Sequence, residues 1–209
     1  MPVRLSTLVF ILCIILFACN TKNKQTVNKN ALFQLQLAAQ TGISFINNVT
    51  DTKTFNILTY HNFYNGGGVA IGDVNNDGKP DIFFTSNQQQ NKLYINKGNL
   101  KFEDAAAKSG IISKHTWHTG VSMVDINNDG WLDIYICNSG NNPNDDRANE
   151  LWINQHNGTF KEEAQQYGLD DKGPSTQATF FDYDHDGDLD CFVLNNSPES
   201  ISNFGYNSR

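Results

Sequence analysis

The sequence predicts an all-β fold, an incomplete β-propeller made of blades of about four antiparallel strands. Three observations carry this. An acidic nine-residue segment recurs three times, short β-branched and aromatic runs flank every copy, and a second pair of such runs follows two of the copies. Runs of this kind bounded by Asn, Asp and Gly read as strands. Repetition every fifty or so residues is the spacing of blades or solenoid units.

The segments are Asp73 to Asp81 (DVNNDGKPD), Asp125 to Asp133 (DINNDGWLD) and Asp182 to Asp190 (DYDHDGDLD), starting 52 and 57 residues apart. Before them lie Val69–Ile71, Val121–Val124 and Phe180–Phe181; after them lie Ile82–Phe84, Ile134–Ile136 and Cys191–Leu194. These are the first and second strands of each unit. The hexapeptides Asn91–Asn96 and Asn149–Asn154 also match. Each opens a hairpin, the first turning across Lys97, Gly98 and Asn99 into Leu100–Phe102, the second across Asn157 and Gly158 into Thr159–Phe160. The units run from about 60 to 112, 113 to 171 and 172 to 209. Propellers close with about four to eight blades, so further blades are expected beyond Arg209.

The amino terminus reads as an export signal: Arg4, an apolar run from Leu8 to Phe17, then Ala18 and Cys19. The run is about half the length of a membrane-spanning helix. The stretch Leu16-Phe17-Ala18-Cys19 is similar to a bacterial lipobox, which implies cleavage and acylation of Cys19 and an exported chain tethered to a membrane, expected to be the outer one. Residues 20–30 are polar and without periodicity, a flexible tether. Of four cysteines only Cys137 and Cys191 fall in the folded part, so disulfides are not its framework.

The chain carries 15 basic and 22 acidic residues, and eleven of those acids lie in the three loops. Loss of Arg4 with the signal takes the net charge from -7 to -8. This acidity excludes a nucleic-acid surface, which needs a basic patch.

Alternate residues of a tight loop point inward together, and a hard cation such as calcium takes six to eight oxygen ligands. Positions 1, 3, 5 and 9 offer Asp73, Asn75, Asp77 and Asp81 in the first loop, with the carbonyl of Lys79 at position 7. The second offers Asp125, Asn127, Asp129 and Asp133 with the carbonyl of Trp131; the third, Asp182, Asp184, Asp186 and Asp190 with the carbonyl of Asp188. One Ca2+ per loop is expected, bound most tightly by the third because Asp184 adds a carboxylate. Position 12 holds Phe84, Ile136 and Val193 where an EF-hand needs a bidentate glutamate, so this is a strand-flanked loop of another kind. Asp, Asn and Gly also mark ordinary turns, but three copies in register with the same flanks argue against turns alone.

With these loops, and through Tyr64-Asn65-Gly66-Gly67-Gly68 and Asn91–Asn96, the stretch from Tyr64 to Asn196 resembles the FG-GAP or VCBS repeat family. Its calcium-binding blades also form the propeller of integrin α subunits. In detail the chain is similar to bacterial exported VCBS-repeat lipoproteins, although the Phe-Gly…Gly-Ala-Pro phrase is absent in strict form. The resemblance implies a binding or scaffold module for a protein or carbohydrate ligand, anchored by its lipid. No nucleophile elbow, zinc motif or phosphate loop marks an enzyme. The competing class is a propeller-type polysaccharide-degrading enzyme with its active site outside this stretch. His61, His115, His118, His156 and His185 do not recur between units and read as surface or loop residues, with His115 and His118 as candidate pocket residues. Trp117 and the segment from Asn141 to Arg147 read as an exposed loop able to carry recognition.

Overall fold

The computed structural model describes residues 31–140 and 147–196. The expected signal, Cys19, the tether, most of the 141–147 loop and anything past residue 196 lie outside the described residues. The chain divides into two units, residues 1–36 and 37–209. Of the first, residues 31–36 are described; they lack regular structure, and Leu32, Phe33 and Leu35 are exposed. The second carries every regular element: α1 (Ala38–Thr41), β1 (Val69–Gly72), β2 (Asp81–Phe84), β3 (Lys92–Asn96), β4 (Phe102–Asp104), α2 (Ala106–Ser109), β5 (His118–Val124), β6 (Asp133–Asn138), β7 (Glu150–Asn154), β8 (Phe160–Glu162), α3 (Ala164–Tyr167), β9 (Ser175–Phe181) and β10 (Asp190–Asn195).

Two antiparallel sheets of four strands, β1-β2-β3-β4 and β5-β6-β7-β8, are the expected blades; β9 and β10 pair as the start of a third. Register repeats as the sequence does. Ile71 faces Ile82 and Tyr94 faces Ile82 in the first blade; Met123 faces Ile134 and Trp152 faces Ile134 in the second. The fourth strands start two residues later than expected in the first blade, at Phe102. Asn99 and Leu100 take left-handed φ values of 52° and 54° in a turn closed by Lys97 N–H to the Lys101 carbonyl, so they cannot continue a ladder. The four-residue helices α2 and α3 were not foreseen, because a single turn carries no periodic signal.

Alternating side chains bury opposite faces of each sheet. Ala70, Phe83 and Leu93 on one face of the first blade meet Val121, Ile134, Ile136 and Trp152 of the second. The second blade turns its other face, with Tyr135, Cys137, Leu151 and Ile153, to Ala178, Phe180, Cys191 and Val193. First strands come so close that a Cβ on Gly120 would lie 2.4 Å from the Thr176 carbonyl oxygen and 2.8 Å from Gln177 Cα. Only glycine allows that approach. Hydroxyls stitch the same seam: Thr119 Oγ1 donates to the Ser175 carbonyl and Ser122 Oγ to the Ala178 carbonyl, each at 2.7 Å.

The two ends of the stack are open by comparison with its middle. Val69 is 56 % exposed where its counterpart Val121 is 5 %, and Phe192 is 62 % exposed where Phe83 and Tyr135 are 1 % and 0 %. Part of the first blade's open face is covered from residues 43–47. Ser44 N–H donates to Tyr94 OH at 3.2 Å, Phe45 stacks on Phe84 with centroids 4.9 Å apart, and Asn47 Nδ2 donates to Asn87 Oδ1 at 2.7 Å. Among the described residues no helix is long and apolar enough to cross a membrane. Cys137 and Cys191 are free thiols.

Candidate metal-binding loops

All three acidic segments connect the first to the second strand of their unit and share one internal scaffold. Gly78, Gly130 and Gly187 at position 6 have φ of 81°, 86° and 96°, the left-handed region where a side chain is costly. Position 4 is also left-handed, at Asn76, Asn128 and His185 (φ 54°, 57° and 63°). The position-1 carboxylate closes the turn by accepting backbone N–H groups. Asp73 accepts from Asp77 at 3.1 Å and Gly78 at 2.7 Å, and Asp125 from Asp129 at 2.9 Å and Gly130 at 2.8 Å. In the third loop Asp182 Oδ2 accepts from Gly187 N–H at 3.2 Å, while its Oδ1 is buried without a hydrogen-bond partner. Position 3 joins in: Asn75 and Asn127 Oδ1 accept from the N–H of Asp77 and Asp129 at 3.1 and 3.2 Å.

Position 9 reaches further than a loop ligand must. Asp81 accepts the N–H of Val74 at 3.1 Å and of Asn96 at 2.8 Å; Asp133 accepts those of Ile126 at 3.1 Å and Asn154 at 2.8 Å. Each carboxylate thus pins the loop to the third strand of its blade. Asp190 repeats the first contact alone, with Tyr183 N–H at 2.8 Å. Sequence spacing marks position 9 as a candidate ligand but not as a pin. The clue lay in the Asn that ends both matched hexapeptides, Asn96 and Asn154. Their opening residues pin the sheet too, since Asn91 and Asn149 Oδ1 accept the N–H of Ser86 and Asn138 at 2.9 and 2.8 Å.

Electrostatics in the loops are those of crowded, partly desolvated carboxylates. Burial raises Asp81, and it pushes Asp133 up to about 6 against the N–H bonds that lower it; neighbouring loop aspartates raise both further. Asp186 beside it raises Asp188. Asp77 is lowered by the Lys79 ammonium, 3.0 Å from its Oδ2. Desolvation pulls Asp129 up, but His156 at 2.9 Å, the Trp131 N–H and the Asn127 amide outweigh it and lower it. His156 also stacks on Trp131, with centroids 5.0 Å apart.

The donor set fits a hard cation. Positions 1, 3, 5 and 9 all carry a side-chain oxygen, and the mutual repulsion of their carboxylates calls for a counter-charge; in the first two loops Lys79 Nζ and His156 Nε2 already contact Asp77 and Asp129. Asp182, Asp184 and Asp190 each offer an oxygen within 4.8 Å of the other two. The first two loops hold Asn at position 3, so each has one carboxylate fewer.

Two expectations for other residues need correction. Trp117 is not in an exposed loop. It is 2 % exposed, packed edge-on against Tyr60 and Phe55 and beside Phe63, because residues 49–63 fold a small aromatic core over it. His118 is not a surface or pocket residue either. It opens β5 fully buried, its Nδ1 2.6 Å from Asn138 Oδ1. His115 does line a cleft of about 590 Å³, with Lys114, Glu150, Trp152, Glu162 and Lys172. Its Nε2 stands 3.9 Å from Glu150, which is held by Ser113 Oγ and Trp152 Nε1.

Repeated blades that each carry such a loop between their first and second strands define a class, and the comparison with known families agrees. Residues 73–136 and 137–193 each match the FG-GAP-like repeat, and the chain belongs to that family. Among characterised proteins it is similar to cartilage acidic protein 1: 38 % identical over 76 residues (36 % of this chain) to the Homo sapiens protein, and 28 % over 137 residues (66 %) to that of Mus musculus. The Xenopus tropicalis protein is 32 % identical over 115 residues (54 %). The matched stretches span between 12 % and 21 % of those relatives' length.

Proposed function

We propose that each acidic loop holds one calcium ion and that the blades are a non-catalytic binding or scaffold module. The ligands are the side chains at positions 1, 3, 5 and 9 and the position-7 carbonyl, Lys79, Trp131 and Asp188 in turn. The observation that carries this is the third loop. One carboxylate oxygen from each of Asp182, Asp184 and Asp190 lies within 4.8 Å of the other two, and Asp182 carries a buried Oδ1 without a hydrogen-bond partner. Bound calcium supplies the missing positive charge; the residues themselves set its position, since position 1 is fixed by the turn in each loop and position 9 by the third strand in the first two. Export with acylation of Cys19, attachment to the outer membrane and a protein or carbohydrate ligand complete the reading, in the manner of the bacterial repeat lipoproteins the sequence resembles.

Calorimetric titration of calcium into chelator-treated protein tests the metal. Saturable binding is expected, with sites lost one at a time in Asp77→Ala, Asp129→Ala and Asp186→Ala. At a hundredfold excess over Kd a single site stabilises the fold by about 2.7 kcal/mol, so chelation should lower Tm. Absence of saturable binding, or variants that bind like the parent, would reduce the loops to ordinary turns.

A further inference from the structure

The first two loops are not separate sites. A hydrogen-bonded relay runs from one to the other across the blade interface. Asp81 Oδ2 accepts the Val74 N–H at 3.1 Å, the Val74 carbonyl accepts Asn154 Nδ2 at 2.8 Å, and the Asn154 N–H donates to Asp133 Oδ1 at 2.8 Å. Asn154 Nδ2 also donates to the Leu132 carbonyl at 3.1 Å, beside Asp133. Val74 and Asn154 are buried, so this path is shielded from water, where such bonds are strongest. A second bridge runs along the rim. Asn76 Nδ2 donates to the Gly130 carbonyl at 3.0 Å, and the Gly130 N–H is held by Asp125 at 2.8 Å.

We propose that the first and second loops bind calcium cooperatively. The inference rests on the calcium reading above. Filling the first loop fixes Asp73, Asp77 and Asp81, and with Asp81 the Val74 peptide and the Asn154 side chain. Asn154 in turn holds Asp133 and the Leu132 peptide in the second loop. The ordering cost is then met once for two sites, which makes the second event more favourable without any change of shape. Coupling between sites is reciprocal, so filling the second loop favours the first equally.

Terbium, an oxygen-seeking stand-in for calcium, gives a readout specific to one loop, because Trp131 is an indole within the second. Indole-sensitised terbium luminescence is titrated with the full chain, and its loss in Asp129→Ala assigns the signal. Asp77→Ala, which removes a ligand from the first loop only, should raise the second loop's midpoint about fivefold or more. Asn76→Gly suits the left-handed backbone, keeps every ligand and removes the rim bridge; it should raise the midpoint by a smaller factor and shrink the effect of a further Asp77→Ala. Should Asp77→Ala fail to fold by circular dichroism, Asn76→Gly decides alone. A second-loop midpoint unmoved by both, with saturable terbium binding displaced by calcium, overturns the coupling and leaves the calcium reading standing. No such binding in the parent chain overturns both.

Discussion

The blades differ at one buried position in a way that sets up a reciprocal experiment. Tyr135 in β6 donates its O–H to the Leu169 carbonyl at 2.9 Å and accepts Asn149 Nδ2 at 2.9 Å, entirely within the core. Its counterpart in β2 is Phe83, and there the counterpart amide, Asn91 Nδ2, is buried without a partner. Tyr135→Phe should therefore leave the Leu169 carbonyl unpaired and Asn149 Nδ2 with Ser175 Oγ alone, at a cost of about 1–3 kcal/mol. Phe83→Tyr offers Asn91 Nδ2 the acceptor it lacks and should be neutral or stabilising by about 1 kcal/mol, with the Ile111 carbonyl as the expected acceptor for the new hydroxyl because Gly110-Ile111 repeats Gly168-Leu169 in the sequence. Urea unfolding at fixed calcium, read by midpoint and slope, measures both. An Asn91→Ala background should remove any gain from Phe83→Tyr. If Tyr135→Phe costs under about 0.5 kcal/mol while Phe83→Tyr costs more than the reverse substitution, repeat equivalence is not a guide to these polar contacts.

Other consequences are open to direct measurement. Gly120→Ala should destabilise by about 1–3 kcal/mol through overpacking, because the methyl meets backbone that no rotamer change can move; a thermal melt indistinguishable from the parent would contradict the seam described above. Trp117→Ala should cost about 3–5 kcal/mol by emptying the aromatic core under residues 49–63, and limited proteolysis should then cut in that stretch first. Burial pushes the Cys137 thiol up to about 12. Since the folded value lies above the ordinary 9.0, the thiol form is favoured on folding; that stability is complete below pH 9 and is lost as pH rises towards 12. At pH 8 iodoacetamide should therefore label Cys137 only after unfolding, as peptide mapping would show.

Repetition made the fold legible. Asp73, Asp125 and Asp182 fixed the phase, and hydrophobic runs on either side then had to be the first and second strands. The third strands followed from the Asn-to-Asn hexapeptides, whose ends turned out to pin the sheet. What escaped was set by tertiary contact. Leu100 looks like a strand residue, yet its left-handed φ belongs to a turn decided by how β3 and β4 meet. Trp117 and His118 look exposed because the residues that bury them, Tyr60 and Phe63 for one and Asn138 for the other, lie 20 or more residues away. The second task of Asp81 and Asp133 was hidden for the same reason: a backbone donor leaves no mark in a sequence.

The segment before the first blade is sewn to that blade at Tyr94, Phe84 and Asn87, while residues 51–59 between them are largely exposed. A single cut by a protease in that stretch would therefore not shed the preceding piece. The two fragments would stay together as a nicked chain that runs as one species until denatured, which gives the molecule resistance to shedding at an exposed stretch.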